Sequence, residues 1–306
     1  MKISEMELLV RVAQTGSMTL AAQQLNLTPA AVSAAVQRIE AAVGVRLFER
    51  TTRSLHPTDE GQVILAGCED VVGRWQQTLD DARGSKADIE GVVRLSAPAD
   101  ITNEVLAHVV VEVCAAHPKL RVVLDTSDTI KHLHGDAIDM AIRYGALQDS
   151  SLSARRLASA PGMLVAAPSY LDAHGTPTRV EDLADHRCLT LHLGNVPEAT
   201  WQLHRDGAVE TVEIDSAMCG NGFLARRWAV DGEGIAYKSL FDVIDDLEAG
   251  RLVRVLPNYD GSAIGIHAVF PSRRFLPARV RALDSAITER FAARAARCDA
   301  WLAAQR

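Results

Sequence analysis

The sequence predicts an α/β protein in which a long helix joins a small helical unit to a larger unit of alternating strands and helices. The first observation is a pair of short helical patterns followed by a basic hairpin, within 1–58. The second is a helical repeat of apolar residues over 59–91, and the third is an alternation of strand and helix patterns over 92–306. Such alternation is typical of a mostly parallel sheet with helices on both faces. We therefore expect three parts with these boundaries.

The third predicted helix carries the most informative pattern of the small unit. Thr28 is a good N-cap, and Pro29 suits the first helical position because a backbone N–H there would lack a helical partner. One face is apolar at helical spacing and consists of Val32, Val36, Ile39 and Val43. The opposite face carries mostly small or uncharged side chains, namely Ala30, Ser33, Ala34, Gln37 and Arg38. This arrangement is typical of a helix-turn-helix, which sets its second helix in the major groove of DNA.

A basic hairpin at 46–56 follows this helix. Leu47, Phe48 and Leu55 can anchor it in a core, whereas its tip offers cations and hydroxyl groups that suit phosphate oxygens. An ordinary helical hairpin inside a core is the alternative, but a core gives the basic hairpin no role. Further candidate DNA contacts, in addition to the exposed helix face, are Ser17, Thr28, Pro29, Arg50, Thr51, Thr52 and Arg53.

The LysR-type transcriptional regulators have a winged helix that this part of the chain closely resembles. The resemblance lies in the run AAQQLNLTPAAVSAAVQRIEAAVGVRLFERTTRSLHPTDEG. It meets the family pattern A-A-x-x-L-x-x-[ST]-x-x-A-[VL]-S-x-x-[IV]-x-x-[IL]-E-x-x-[LV]-G-x-x-L-F-x-R nearly throughout. Most members carry Ser-Gln at the start of the recognition helix and often Arg after the later Ser, where this chain has Thr28-Pro29 and Ala34. The resemblance therefore implies a base contact at Ser33, while its neighbours depart from the family.

A long helix is predicted after the hairpin. Thr58 can cap it, and Asp59 and Glu60 place negative charge on its first turn, where the helix dipole favours it. Apolar residues then recur along a narrow seam, as in helices that pair, at Ile64, Cys68, Val71, Trp75 and Leu79. A helix that lies on its own domain is the alternative. The family resemblance implies the paired version, an antiparallel dimer of linker helices, and the run 84–91 is predicted to be a hinge.

In the larger unit, strand patterns alternate with helix patterns. Strands are predicted at 92–96, 120–126, 138–143, 163–167, 188–193, 201–203, 209–214, 235–237 and 264–270. Helices are predicted at 102–117, 129–135, 222–230 and 277–293, followed by a helical tail at 298–306 that has little to specify its packing.

This unit also resembles the effector-binding domain of the same family. The matching runs are GVVRLSAP, DMAIRYGALQDSSLSARRL, VAAPSYLDAHGTP, DLADHRCL, GRLVRVLP and VFPSRRFLPARVRAL. The resemblance implies two α/β subdomains of the periplasmic-binding-protein type, with crossings near 160–162 and 267–269. The first would take 92–161 and 268–306, and the second 162–267. A small-molecule effector then lies in the cleft, where strand ends and helix N-termini converge.

Residues at the predicted strand ends and helix starts are the candidate effector contacts. Helix starts favour anions, and Arg143 or Lys238 would add positive charge, whereas Asp100 and Asp128 oppose it. The matching runs resemble one subgroup of the family in particular. That subgroup usually has an aromatic-Gly pair where this chain has Ile101-Thr102, so the pocket is expected to differ. The candidates are Ser96, Pro98, Ala99, Asp100, Thr126, Ser127, Asp128, Arg143, Tyr144, Asn195, Val196, Cys219, Gly220, Asn221, Gly222, Tyr237 and Lys238.

Composition and charge set limits on the function. The net charge of −7 lies outside the first 60 residues, which hold six Lys or Arg and six Asp or Glu, so a DNA contact must come from a local patch. No apolar run approaches a membrane span and the N-terminus lacks a signal-peptide layout, so we expect a cytoplasmic protein without membrane contact. The five cysteines are far apart and odd in number, and we expect no disulfide framework, no metal site and no cofactor.

The sequence also argues against two other functional classes. No catalytic motif lies in a strand-turn-helix context, so we expect no enzyme and no catalytic residues. A solute-binding transport protein would share the larger unit but has no need of a winged helix. Cys219 suggests a redox sensor, yet without a partner cysteine or a basic cluster we expect a small buried residue. The predicted partners are double-stranded operator DNA, a small-molecule effector, a second copy or copies in a homodimer or homotetramer, and RNA polymerase as a further candidate.

Overall fold

The structure is a computed structural model of the chain. It describes residues 1–50, 55–83, 89–127, 138–145, 153–193, 196–197, 200–216, 218–270 and 276–305. Within these ranges, no helix is both long enough and apolar enough to cross a membrane.

Three helices and a two-stranded hairpin form the N-terminal domain. The first helix ends at Gly16, whose φ of 57° lies in the left-handed region that glycine adopts without strain. Leu9 and Val12 on this helix are fully buried in a core shared with the other two helices. The helices and the following hairpin confirm the predicted order. The elements are α1 (Ile3–Thr15), α2 (Met18–Gln24), α3 (Pro29–Val43), β1 (Phe48–Arg50) and β2 (Leu55–Pro57).

The helix predicted to follow Thr28 is confirmed as α3. The hydroxyl oxygen of Thr28 accepts a hydrogen bond from the N–H of Ala31 at 3.2 Å, and Pro29 is the first helical residue. The buried face consists of Val32, Ala35, Val36 and Ile39. The assignment of Val43 to this face is wrong, because Val43 lies in the last turn before Gly44 and is exposed.

The carboxylate of Glu40 fixes the hairpin against α3. Its Oε1 accepts hydrogen bonds from the N–H groups of Leu47 at 2.8 Å and Phe48 at 3.2 Å. On the other side, the hydroxyl of Thr58 accepts the N–H of Gly61 at 2.9 Å, which confirms the predicted helix cap. A Cβ on Gly61 would lie 2.1 Å from the carbonyl oxygen of Leu47, so the next helix passes too close to the hairpin for any side chain there.

The long linker helix is confirmed as α4, which spans Asp59–Arg83. Its apolar stripe has two different surroundings. In the first half, Cys68 is buried in the core of the N-terminal domain and Ile64 packs against the same core. The assignment of Cys68 to a dimer seam is therefore wrong, because the core that α4 forms with α1 of the same chain already buries it. In the second half, Val71 and Trp75 are 43% and 44% exposed.

The larger unit is built on a long path of paired strands. The strands are β3 (Gly91–Ala97), β4 (Leu120–Thr126), β5 (Met140–Tyr144), β6 (Ser153–Ala166), β7 (Cys188–Leu193), β8 (Val196–Pro197), β9 (Thr200–Arg205), β10 (Ala208–Glu213), β11 (Met218–Gly220), β12 (Ile235–Ser239), β13 (Val253–Val255), β14 (Asp260–Gly261) and β15 (Ala263–Phe270). Their order in the main sheet is β11-β7-β12-β6-β15-β5-β3-β4, with β13 beside β6 and β8 beside β7, while β10-β9-β14 form a separate sheet.

The main sheet is mixed, so the prediction of a mostly parallel sheet is wrong. The pairs β3–β4, β3–β5, β7–β11 and β7–β12 are parallel, as the alternation with helices predicts. The two long strands β6 and β15 instead run antiparallel to each other and to their other neighbours. They connect the two parallel groups, and they are the strands by which the chain crosses between the predicted subdomains.

Strand β6 changes partners along its length. Its first part pairs with β15 as far as Pro161, and from Gly162 onward it pairs with β12 and then β13. This change coincides with the crossing predicted near 160–162. On the return path, β15 already pairs with β6 at Ala263, so the second crossing precedes His267 by several residues.

Helices flank these strands. The helix predicted at 102–117 begins earlier, because α5 starts at Ala99 directly after β3 ends at Ala97. The prediction at 129–135 lies outside the described residues. The helical elements are α5 (Ala99–Ile101), a π-helical segment (Thr102–Leu106), α6 (Ala107–Ala116), α7 (Pro168–His174), a 3₁₀ segment (Val180–Asp185), α8 (Gly222–Val230), α9 (Leu240–Glu248) and α10 (Ala278–Ala304).

The C-terminal helix α10 is longer and better packed than predicted. It includes most of the helical tail predicted at 298–306, because no glycine or proline interrupts the chain between that tail and the helix predicted at 277–293. Cys298 is buried, and Trp301 packs against the main core. The guanidinium of Arg294 lies over the ring of Phe241 and donates from Nε to the carbonyl oxygen of that residue at 2.7 Å. The end of the chain is thereby fixed on α9.

Candidate DNA-binding surface and effector cleft

The outward face of α3 is the candidate DNA-reading surface. Ala30, Ala34 and Gln37 are exposed, while Ser33 is half-buried. Arg38 keeps 67% of its side chain exposed and lies 3.4 Å from the carboxylate of Glu5 on α1. An exposed pair of this kind contributes little to stability and leaves the guanidinium accessible to another anion.

The remaining DNA candidates lie at helix starts and at the tip of the hairpin. Ser17 is the N-cap of α2, where its hydroxyl oxygen accepts the N–H of Leu20 at 3.4 Å. Arg50 ends β1 opposite Leu55. The tip residues Thr51, Thr52 and Arg53 lie outside the described residues.

The predicted effector residues fall into two groups on either side of the two crossing strands. Ser96 is at the end of β3, but Ala99 and Asp100 belong to α5, so the prediction that they end a strand is wrong. Proline at 98 stops the strand because it cannot donate to the ladder. Thr126 ends β4 and is exposed, and the N–H of Ser127 donates to the carbonyl oxygen of Ala97 at 3.0 Å.

On the other side of the crossing strands, the helix predicted at 222–230 is confirmed as α8, but Cys219 and Gly220, expected to open it, precede it. Cys219 and Gly220 form the end of β11, Asn221 is the N-cap of α8, and Gly222 is the first helical residue. The side-chain oxygen of Asn221 accepts the N–H of Leu224 at 2.9 Å. Cys219 is half-buried rather than buried as predicted. Asp128 and Asn195 lie outside the described residues, and Val196 is described only as part of β8.

A buried ion pair joins the two groups of predicted effector residues. Nζ of Lys238, near the end of β12, lies 2.6 Å from Oδ2 of Asp100 on α5 and 3.2 Å from Oδ2 of Asp242 on α9. Nζ also donates to the carbonyl oxygen of Gly222 at 3.2 Å. The three charged side chains are almost fully buried, at 2%, 4% and 5% exposure. One ammonium group thus serves two carboxylates.

The protonation of this cluster reflects its burial and its excess of carboxylates. Burial raises the pKa of Asp100 to about 6; the ammonium of Lys238 opposes this rise, and the carboxylate of Asp242 adds to it. Burial acts to lower the pKa of Lys238, but the two carboxylates outweigh it, so that pKa stands above its ordinary value. Burial and then Asp242 raise the pKa of Tyr144 well above its ordinary value, and its neutral hydroxyl donates to Oδ1 of Asp242.

A second set of buried charges continues along the same boundary. Nε of Arg226 on α8 lies 2.6 Å from Oδ2 of Asp246 on α9, and its Nη1 donates to Glu104 in the π-helical segment. Nε of Arg251 donates to the other oxygen of Asp246 at 2.7 Å. Sequence reasoning missed this set. The signal that could have indicated it is a pair of acidic residues four apart, at 242 and 246, on the same helix as the apolar Phe241, Val243 and Ile244.

Two more predicted residues have structural partners within their own side of the cleft. Nη2 of Arg143 donates to Oγ of Ser96 at 2.8 Å, and Nη1 donates to the carbonyl oxygen of Ser96 at 3.1 Å. The ring of Tyr237 stacks on Trp201 with centroids 6.0 Å apart. The Tyr237 hydroxyl occupies the space where side chains at Gly162 and Gly261 would begin, 2.2 Å and 2.1 Å from the ideal Cβ positions.

The π-helical segment Thr102–Leu106 follows Asp100 directly. Such segments are rare and are found disproportionately at functional sites. Its first residue, Thr102, is the second of the pair Ile101-Thr102, which was expected to change the pocket. Among the described residues, no group of three or more His, Cys, Asp or Glu side chains is arranged to hold a metal ion.

Comparisons with known protein families cover most of the chain. The model of the LysR substrate binding domain matches residues 86–292, and the model of the bacterial regulatory helix-turn-helix protein of the lysR family matches residues 3–62. The chain is 33% identical over 282 residues to the HTH-type transcriptional regulator PtxR of Pseudomonas aeruginosa, covering 92% of this chain and 90% of that protein. It is 30% identical over 292 residues to the HTH-type transcriptional activator AaeR of Escherichia coli, covering 95% and 94%.

Solved structures of similar proteins share the fold. CrgA, a LysR-type transcriptional regulator from Neisseria meningitidis, matches with a TM-score of 0.63 and 28% identity, covering 94% of this chain and 98% of that chain. The full-length virulence activator AphB of Vibrio cholerae matches with a TM-score of 0.58 and 24% identity, covering 94% and 99%. At that lower identity, the second match supports the fold alone.

Proposed function

Because this chain belongs to the family of LysR-type transcriptional regulators, DNA-binding proteins with an effector-binding domain, we propose specific roles for its surfaces. The exposed face of α3 reads base edges in the major groove, and the hairpin tip contacts phosphates. The cleft at Asp100 and Lys238 receives the small-molecule effector. The observation that supports this best is α3 itself, which buries one face completely and leaves a face of small and polar side chains open.

The DNA-reading role follows from what α3 offers. An α-helix fits the major groove only if small side chains let it come close, and a few polar groups can then bond base edges. Ala30 and Ala34 provide the close approach, while Ser33 and Gln37 provide hydrogen-bonding groups one turn apart. Glu40 holds the hairpin at a fixed place beside this helix through two backbone hydrogen bonds. The phosphate contacts would then set the register in which α3 meets the bases.

The effector cleft and the DNA-binding domain would communicate through assembly. The chain would form a homodimer through the exposed second half of the α4 stripe, and in the larger form a homotetramer through effector domains. Several winged helices on one particle contact spaced half-sites, which raises affinity through effective concentration. The effector must bind one arrangement of the effector domains better than another, since equal affinity would change nothing. The resulting change in half-site spacing would alter access of RNA polymerase.

Two broader assignments complete the proposal. The chain acts in the cytoplasm, where operator DNA and metabolites are both present, and it catalyses no reaction. The domain boundaries that fit this role are 1–58, 59–91 and 92–306. Within 92–306, one subdomain consists of 92–161 and 268–306, and the other consists of 162–267. The second subdomain is shorter by a few residues if all of β15 is counted with the first.

The test is DNA binding by the full-length protein. A selection from a random pool of duplex DNA should return a consensus with two spaced half-sites. Replacing Arg53 by Ala should then weaken binding to all sequences about equally and lower the slope of log affinity against log salt by roughly one. A selection without enrichment would contradict the proposal, and an Arg53→Ala protein with wild-type affinity and slope would contradict the role of the hairpin tip.

A further inference from the structure

One carboxylate of the chain lies where a bound anion would be expected. Among the predicted effector residues, Oδ2 of Asp100 is 2.6 Å from Nζ of Lys238. It also lies against Gly222, the first residue of α8. Asp100 belongs to the first subdomain, whereas Lys238 and Gly222 belong to the second. A lysine beside a helix N-terminus is a favourable environment for an anion, because both supply positive charge.

The first residue of α8 leaves room for this carboxylate. A Cβ on Gly222 would lie 1.9 Å from Oδ2 of Asp100 and 2.9 Å from Nζ of Lys238. The carboxylate therefore fills a space that any larger residue at the helix start would occupy. The side chain of Asn221 does not compete for this space, since it already caps the helix through the N–H of Leu224.

Asp100 is only half satisfied in this position. Its side chain is 4% exposed, and Oδ1 is buried without a hydrogen-bond partner. A carboxylate has room for several donors, and a buried acceptor without one carries a desolvation cost. A permanent structural carboxylate would be expected to have both oxygens bonded. The raised pKa of Asp100 agrees with an anion that is held incompletely.

The charge of the cluster disfavours binding of another anion while Asp100 is present. Lys238 already lies 3.2 Å from the carboxylate of Asp242, which also accepts a hydrogen bond from Tyr144. Together the two carboxylates exceed the one ammonium group. An added carboxylate would be repelled, because like charges in a buried site disfavour one another. A carboxylate ligand can therefore reach Lys238 only if Asp100 moves away.

We propose that Lys238 and the N-terminus of α8 form a carboxylate subsite, and that Asp100 is its built-in occupant, which the carboxylate of an effector replaces. This inference rests on the proposed function in that it places the subsite inside the effector cleft. In the absence of effector, Asp100 ties the first subdomain to the second. When an effector carboxylate takes its place, the ion pair between Asp100 and Lys238 is replaced by contacts between the ligand and Lys238. The arrangement held by Asp100 and the arrangement held by the ligand then differ in their interactions. A ligand can shift a conformational equilibrium only through such a difference.

The subsite can be tested with acetate as the probe. Replacing Asp100 by Ala removes the built-in carboxylate and leaves space of about the size of acetate beside Lys238. Thermal unfolding of the full-length variant is measured while sodium acetate replaces sodium chloride at constant sodium concentration and about pH 7.5, where acetate is ionised. Acetate should raise the Tm of Asp100→Ala saturably, by roughly 2 °C or more. Methylammonium chloride should not.

The controls separate this subsite from a general salt effect. The wild type should not respond to acetate, because its tethered carboxylate competes at a high effective concentration. The variant Asp125→Ala, which removes an exposed carboxylate on β4, should not respond either. Adding Lys238→Met to Asp100→Ala should abolish the response. If Asp100→Ala is too unstable to purify, Asp100→Ser with formate provides the same comparison.

Two results would overturn the inference. One is an Asp100→Ala protein that acetate stabilises no more than chloride does. The other is a wild type that acetate stabilises as much as the variant. In either case Asp100 would be an ordinary ion-pair partner. DNA selection with the same preparations distinguishes this failure from failure of the proposed function, since that assay depends on α3 and the hairpin and requires no ligand in the cleft.

Discussion

Oδ2 of Asp100 meets Nζ of Lys238 at 2.6 Å although the two residues are 138 positions apart in the chain. The pair connects the helix that follows β3 with the end of β12, and both side chains are buried. Removing one partner of a buried pair leaves the other charge uncompensated, which typically costs about 3–5 kcal/mol. Loss of either side chain should therefore destabilise the contact between α5 and β12.

The pH dependence of stability should report the state of Asp100. Its pKa is raised from the ordinary value of 3.8 to about 6, mainly by burial, so the folded protein binds the proton more tightly than the unfolded chain does. Protonation of Asp100 therefore stabilises the folded protein. This stabilisation is complete below pH 3.8, the ordinary pKa, and is lost as pH rises through about 6. Relative to Asp100→Asn, which does not titrate, the wild type should gain roughly 1 kcal/mol of unfolding free energy between pH 7 and pH 5.

Urea unfolding of both proteins across this range measures the gain. The variant Asp125→Asn is a matched control, since its carboxylate is exposed. A stability difference between wild type and Asp100→Asn that does not change with pH would contradict the assigned environment of Asp100.

Two glycine substitutions in helices should have opposite effects on stability. Gly222→Ala places a methyl group 1.9 Å from Oδ2 of Asp100 and should destabilise the protein by about 1–3 kcal/mol, the usual cost of overpacking. Gly67→Ala on α4 meets no atom within 4 Å and should stabilise the chain by about 0.5–1 kcal/mol, because alanine has the better helix propensity. Both variants are compared with wild type by thermal unfolding. Equal effects would mean that the first residue of α8 does not contact the carboxylate.

The separate elements could be predicted from local sequence, but their meeting points could not. The cap at Thr28, the buried face of α3 and the linker helix follow from short-range patterns, which the structure confirms. Asp100 and Lys238 were each candidates for the cleft, yet Asp100 was expected to oppose an anion there. The 2.6 Å contact between Asp100 and Lys238 depends on the packing of α5 against β12, which local sequence does not show.

The wrong predictions at β6 and Cys68 also arise because local sequence does not show which distant element packs against a residue. The strand predicted at 163–167 begins at Ser153. The first part of β6 lacks a strand pattern, because it contains several polar residues and Pro161, and it is held by pairing with β15, far along the chain. Cys68 fits a helical seam equally well whether a second subunit or the same domain covers it. Periodicity shows that a stripe is covered but does not identify the covering element.

Ser33→Ala should relax sequence preference without weakening non-specific binding. Ser33 lies on the outward side of α3 beside exposed Ala34 and one turn before Gln37. A hydroxyl there can bond one base edge, and a good contact contributes about 1–3 kcal/mol of discrimination. A binding-site selection with the variant should lose information at one position of each half-site. Arg38→Ala is the comparison, because loss of a cation should affect all sequences similarly. An unchanged consensus for Ser33→Ala would refute the contact.

Trp75→Ala should dissociate the protein into monomers at low concentration. Trp75 and Val71 continue the stripe whose first half is buried in the N-terminal domain, yet in the single chain Trp75 is 44% exposed. A large apolar side chain left open at the end of a covered stripe is best explained by a second copy that covers it. Truncating a buried tryptophan costs about 3–5 kcal/mol. Sedimentation of wild type and variant over a range of concentrations measures the effect.

A matched control lies on the same helix. Val63 is 75% exposed but projects away from the stripe, so Val63→Ala should leave the dimer intact. Because the cluster around Asp100 and Lys238 uses no residue before 92, a chain cut within 84–88 should remain folded and retain the pH dependence of its stability. Operator affinity of full-length Trp75→Ala should fall steeply, since paired half-sites need two linked domains. A wild type that sediments as a monomer, or a Val63→Ala protein that dissociates equally, would show that the exposed stripe does not form the interface.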